Sequence, residues 1–189
     1  MTSETDDPDE ADWADALDGD GEAFGRIFDR HRSRVSRHSR RLVPVAADSD
    51  DVVAITFFEA WRRRDSARFV DGSILPWLLV IATNSAHNVT RGSRRYRALL
   101  AKLPPDDHVR DHADDNDDAA QEALARLSLS DQQVITLCVL DGYSEREAAQ
   151  VLGIAAGTVK SRLSRAKARL ATQIGFNHGI PTKEATNEA

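Results

Sequence analysis

Between Gly157 and Leu170 the chain sets small residues and cations at spacings suited to hydrogen bonding in a nucleic-acid groove. At about 100° per residue in a helix, Val159, Leu163, Ala166 and Leu170 form one narrow apolar stripe. That stripe turns Gly157, Ser161, Ser164 and Ala168 to the opposite side. Thr158 stands at the start of this strip, Lys160 and Lys167 flank it on one side, and Arg162, Arg165 and Arg169 on the other. Small side chains let a helix lie deep in a major groove, cations neutralise phosphates, and guanidinium forks match the edge of guanine. Periodicity alone is equally compatible with a helical hairpin whose basic face is merely solvated.

A second polar group lies in the segment that begins at Pro76. Trp77, Leu78, Ile81, Ala82 and Val89 can pack inward, which leaves Asn84, His87, Asn88 and Arg91 polar. Neutral amides beside arginines suit an unpaired base, whose edges they can hydrogen-bond once it leaves the stack. Each amide taken alone is also compatible with a solvated helix position. His31 and His38 share an apolar stripe with Phe24, Ile27, Phe28, Val35 and Leu42 and read as partly buried core. His108 and His112 have i, i+4 spacing among aspartates but lack further fixed ligands, so no metal is expected there. Nothing in the chain resembles a catalytic triad, a metal cluster or a phosphate-cradling glycine loop, and the reading is neither an enzyme nor a cofactor binder.

The elements that must position the first group are legible. Ser144 and Glu147 have capping-box spacing, Ala148, Ala149 and Leu152 make an inward face, and Gly153 sits where a left-handed residue ends the helix. A second helix from about Ala156 then gives helix-turn-helix geometry. The run from Asp141 to Ala149, then Leu152-Gly153-Ile154, then Gly157 to Ala166, resembles region 4 of bacterial RNA polymerase sigma factors of the extracytoplasmic-function group. That resemblance implies recognition of an upstream promoter element, here by Thr158, Lys160, Ser161, Arg162, Ser164, Arg165 and Arg169.

The segment from Asp50 to Arg64 places Val53, Phe57 and Trp61 on one face and resembles region 2.2 of the same family. The resemblance implies docking on the clamp helices of the polymerase largest subunit through outward residues, Asp51, Ala54 and Glu59. Ala54 stands where the family commonly has glutamine. Phe57, Phe58 and Trp61 read mainly as core. The segment from Pro76 resembles regions 2.3 and 2.4, which implies that Asn84 and Asn88 line a pocket for an extruded base of the downstream promoter element. By the same resemblance His87 lies close by and the Ser66 to Ser73 loop helps hold the base, while Val80 replaces a cation found in some relatives.

Net charge is −6, which alone argues against a nucleic-acid protein, but the charge is segregated. Residues 1–20 carry nine acids and no base, residues 21–103 carry 16 bases against 8 acids, residues 104–122 one base against 8 acids, and residues 123–175 seven bases against four acids. Strand signals are weak. The expected fold is all-α: two small helical domains, 21–103 and 119–173, joined by a flexible acidic linker over 104–118. The second domain is a helix-turn-helix of the winged-helix-like kind, its supporting helix capped by Ser130 with Gln133. Residues 1–20 read as an acidic tail, disordered or at most a short fraying helix, solvated or competing with DNA for the basic blocks, and 174–189 as a second tail. The single cysteine, Cys138, fits a buried structural role and a reducing cytoplasm, and no signal peptide or membrane span is present in the sequence.

The resemblance implies core RNA polymerase and promoter DNA as partners, with an anti-sigma protein that wedges between the two domains. Two other readings stay open at this point: a free-standing dimeric helix-turn-helix regulator, and a sigma-like module that sequesters polymerase. The first leaves the block from Asp50 to Arg97 without a role.

Overall fold

The computed structural model describes residues 8–100 and 115–177, all of them in helices, turns and short connections. Among the described residues eight α-helices follow one another: α1 (Pro8–Leu17), α2 (Gly21–Arg40), α3 (Ala46–Arg62), α4 (Leu75–Leu100), α5 (Asp115–Ala125), α6 (Leu129–Ile135), α7 (Glu145–Leu152) and α8 (Ala156–Asn177). Among the described residues the only β pairing is a bridge between Val70 and Ser73. None of the described helices is long and apolar enough to cross a membrane.

Local chemistry explains the boundaries. Asp20 caps α2 by accepting the Glu22 amide, and Pro44 keeps α2 and α3 apart. The connection from α3 to α4 turns sharply at Asp71 and Gly72, both at positive φ, before Pro76 enters the first turn of α4. α6 is capped by Ser128, whose hydroxyl accepts the Asp131 amide, so the expected cap at Ser130 falls two residues too late. α6 then widens into a π-helical turn over Thr136–Leu140, after which the Asp141 amide donates to the Thr136 carbonyl.

The N-terminal acidic stretch departs from expectation. It is not a disordered tail over its described part, because residues 8–17 form α1 and bury Asp9, Trp13 and Ala16 against the first group of helices. Trp13 stands edge-on to Trp77 at 5.9 Å and tilts against Phe24 at 6.0 Å. Its acids meet cations of α2: Asp12 accepts from Arg26 and Arg30, and Asp9 from Arg30 and His31. Periodicity missed this because α1 has a narrow apolar face, and its docking rests on carboxylates that only α2 makes useful.

The expected linker is also shortened. Residues 115–118 already belong to α5, residues 174–177 prolong α8, and the calls on 104–114, with His108 and His112, and on 178–189 lie outside the described residues.

The core has two centres that meet across α4. Ile27, Val35, Val52, Phe57, Ile74 and Leu78 are buried among α2, α3 and α4, while Leu124, Val134, Leu137, Val159 and Leu163 are buried among α5 to α8. Val52 rather than Val53 faces fully inward, and Phe58, expected in the core, is 65% exposed. α4 packs on α6 and α7, so the two groups of helices touch.

Candidate nucleic-acid interface

The second group presents the small-residue strip. Ser144 Oγ accepts the Glu147 amide at 3.2 Å, and the Ser144 amide donates to Glu147 Oε2 at 2.7 Å, so α7 begins with a full capping box. The Ser144 hydroxyl and amide hold the Glu147 carboxyl below the usual carboxylate range. Gly153 ends α7 at φ 66°, where a side chain would collide with the Arg68 guanidinium. Val159, Leu163 and Ala166 are buried, and Gly157, Ser161, Ser164 and Ala168 are exposed on the other side of α8.

The cations around that strip are not equivalent. Lys160, Arg165 and Lys167 are exposed, with Arg165 Nε 3.3 Å from the Ser161 carbonyl. Arg169 is exposed as well, but its guanidinium donates at 2.6 Å to Asp131, a buried carboxylate of α6. Arg169, expected on phosphate, therefore braces α8 on α6 in this structure. Thr158 and Arg162 are half-buried, and Arg162 lines a cleft with Ser66, Arg68, Trp77 and Gln133.

The first group gathers its polar residues between α3 and α4. Asn84 and Asn88 line a groove of about 230 Å³ together with Ile55, Glu59, Arg62 and Arg63. Glu59 pairs with both arginines, at 3.3 Å to Arg62 Nε and 3.1 Å to Arg63 Nε, which keeps the two guanidinium groups at the groove's edge. Sequence reasoning missed Arg62 and Arg63. The run Arg62-Arg63-Arg64 was a signal, and only the packing of α3 on α4 sets it beside the amides.

The Ser66 to Ser73 loop, expected beside that pocket, turns toward the second group instead. Arg68 donates to the Val151 carbonyl at 3.0 Å, and Gln150 donates to the Phe69 carbonyl at 2.9 Å. The unpaired end of α7 gains a guanidinium donor by this contact, which fixes the loop there. Arg91 is exposed beside a small cleft that includes His87, Thr90 and Gln132.

The docking stripe expected on α3 is outward. Asp51 and Ala54 are exposed, Ile55 is 39% exposed, and Phe58 continues the same face at i+3 and i+4 steps. Glu59 lies toward the groove instead. Among the described residues, no cluster of three or more His, Cys, Asp or Glu side chains could hold a metal ion.

Two family models match the chain: Sigma-70 region 2 over residues 27–96 and Sigma-70, region 4 over residues 117–170. The ECF RNA polymerase sigma factor SigM of Mycobacterium tuberculosis is 33% identical over 168 residues, covering 86% of this chain and 83% of that protein. The RNA polymerase sigma factor CnrH of Cupriavidus metallidurans is 31% identical over 172 residues, covering 83% and 89% of the two chains. Among solved structures, CnrH in complex with the cytosolic domain of CnrY matches 90% of this chain and 99% of that one with a TM-score of 0.60 at 29% identity. The sigma factor RpoE in complex with the anti-sigma factor NepR from Bartonella quintana matches 77% of this chain and 92% of that one, with a TM-score of 0.51 at 27% identity. An exposed small-residue strip on a capped helix-turn-helix, an amide groove edged by arginines, and two family models that cover both agree: the chain belongs to the sigma-70 family, in the extracytoplasmic-function group of RNA polymerase sigma factors that direct promoter-specific transcription initiation.

Proposed function

We propose that the chain reads a two-part promoter with two separate surfaces while attached to core polymerase. α8 enters the major groove of the upstream element along Gly157, Ser161 and Ser164, with Arg165 and Lys160 at base edges or phosphates and Thr158 and Arg162 at the entry. The groove between α3 and α4 takes an unpaired base of the downstream element: Asn84 and Asn88 hydrogen-bond its edge, and Arg62 and Arg63 offer planar guanidinium groups for stacking and charge. His87 and Arg91 extend that surface. The outward stripe of Asp51, Ala54 and Phe58 meets the polymerase, with Phe58 supplying the buried area that Ala54 lacks; Glu59 acts by holding Arg62 and Arg63.

One observation carries this reading most directly, the exposed strip of small residues on α8 opposite a fully buried Val159, Leu163 and Ala166. An ordinary hairpin has no reason to keep its outer face that low. Strand opening in this scheme is driven by binding energy rather than by chemistry on the chain. The place of action is the cytoplasm, where polymerase and DNA meet and a lone thiol stays reduced. Two similar solved chains carry protein partners, the cytosolic domain of CnrY and the anti-sigma factor NepR, and we extend a partner of that kind to this chain.

Transcription in vitro with core polymerase and a randomised promoter library tests the scheme. A two-part motif should emerge from the transcripts, with Arg165→Ala relaxing one upstream position by about 1–3 kcal/mol and Asn88→Ala relaxing a downstream one. Binding to core polymerase without initiation would make the chain a sequestering module instead.

A further inference from the structure

A cavity of about 580 Å³ opens where the C-terminal end of α2 meets α5, α6 and α8. Its floor is aliphatic, made by Leu124, Ile135, Val139, Leu140 and Leu170. The π-helical turn after α6 carries Val139 and Leu140 into this lining, and Val139 is left 50% exposed there. The rim is cationic. Arg37, Arg40, Arg41 and Lys167 are exposed around the mouth, and no acidic residue belongs to the lining. Two backbone acceptors beside it are already satisfied: the Arg40 carbonyl accepts from Gln121 Nε2 at 2.9 Å, and the Leu140 carbonyl from Arg41 at 3.0 Å. Arg41 also lies 4.0 Å from Asp141, whereas among the described residues Arg37, Arg40 and Lys167 have no carboxylate partner.

We infer that this cavity binds a free fatty acid, its tail on the aliphatic floor and its carboxylate at the rim with Arg37, Arg40 and Lys167. The volume falls in the range of sites that enclose small molecules. The lining also selects the ligand's chemistry. A sugar or a nucleoside would leave hydroxyls unpaired against five aliphatic side chains, and an amine would meet a ring of like charges. A tail that is apolar along its length and anionic at one end satisfies both parts. The chain's own flanking stretches do not offer such a filling, since residues 101–114 and 178–189 hold only Leu103, Val109 and Ile180 as large apolar side chains. Apart from Lys167, which flanks the α8 strip, no residue of the cavity belongs to the surfaces assigned to promoter DNA or polymerase, so the site stands whether or not those assignments hold.

Calorimetric titration of the full chain with decanoate at pH 7, below its critical micelle concentration, tests the site. One decanoate should bind per chain, and each methylene added toward laurate should tighten binding by up to about fourfold until the cavity is full. 1-Decanol, which keeps the tail and lacks the charge, should bind about tenfold more weakly. Arg37→Gln with Arg40→Gln should weaken decanoate about three- to tenfold, the loss of two exposed ion pairs, and leave 1-decanol within twofold. Val139→Asp puts a carboxylate on the floor at a position already exposed, so the chain should keep its melting profile while decanoate binding is lost. Binding that Val139→Asp does not disturb, 1-decanol binding as tightly as decanoate, or uptake that begins only above the critical micelle concentration would each overturn the inference. No binding at any tail length would overturn it as well and leave the cavity to a protein partner.

Discussion

Removing the Asp9 carboxylate should undock α1 and cost much of the first domain's margin of stability. Asp9 is 2% exposed and accepts from His31 Nε2 at 2.7 Å, from the Ser73 hydroxyl and the Ile74 amide at 3.0 Å each, and from Arg30. Burial pushes the carboxyl up, but His31, the Ile74 amide and Arg30 outweigh it and hold it well below the usual carboxylate range. In Asp9→Ala the Ile74 amide and the His31 ring lose their acceptor inside the fold, whereas Arg30, one-third exposed, can turn to water. Breaking a buried, hydrogen-bonded pair from one side costs about 3–5 kcal/mol. For a chain of this size that lowers Tm by roughly 10 °C, read by calorimetry or circular dichroism.

The pH profile gives a second check. A carboxyl depressed in the folded state binds fewer protons there than in the unfolded chain. Its stabilisation is therefore complete above about pH 4 and is lost as pH falls toward its folded value. Asp9→Asn should flatten that acid limb. A Tm within about 2 °C of the wild type, or an unchanged acid limb, would refute the assignment of Asp9 as the anchor of α1.

Other expectations follow from the same geometry. Ser144→Ala removes one half of the capping box and should cost about 1 kcal/mol, seen as a lower denaturant midpoint at an unchanged slope. Phe58→Ala should leave the denaturant midpoint within about 0.5 kcal/mol of wild type, because the ring is exposed, yet weaken capture by core polymerase in a pull-down or by surface plasmon resonance. The Tyr143 phenol is pushed up to about 12, first by burial and then by Asp141 and Glu147, which outweigh Arg34. In spectrophotometric titration of a Tyr96→Phe chain it should stay protonated well beyond the usual pH 10. Burial and Glu145 likewise raise the Cys138 thiol, so alkylation near pH 8 should be slow in the folded chain and fast in denaturant.

Much of the second domain could be read directly from residue order because its signals are local. Ser144 and Glu147 meet within one turn, Gly153 needs only its own backbone freedom, and the faces of α8 follow from the helical period. The polar placement of Asn84 and Asn88 was legible for the same reason, as positions on a helix whose other face is apolar. Contacts between distant segments were out of reach. Asp9 and His31 are 22 residues apart, and His38 and Asp141 are 103 apart, so an acidic stretch and two core histidines gave no sign of the pairs they form. Phe58 looked like core because an aromatic run does not say which ring turns outward, and Arg169 looked free because Asp131 lies 38 residues away. Sequence alone determined most of the helices from α2 to α8 and which of their faces are polar, since those depend on neighbours within a turn, whereas α1 forms on partners that α2 supplies. Tertiary structure decided which polar faces are satisfied and covered, because a carboxylate or an amide finds its partner only when the helices have packed.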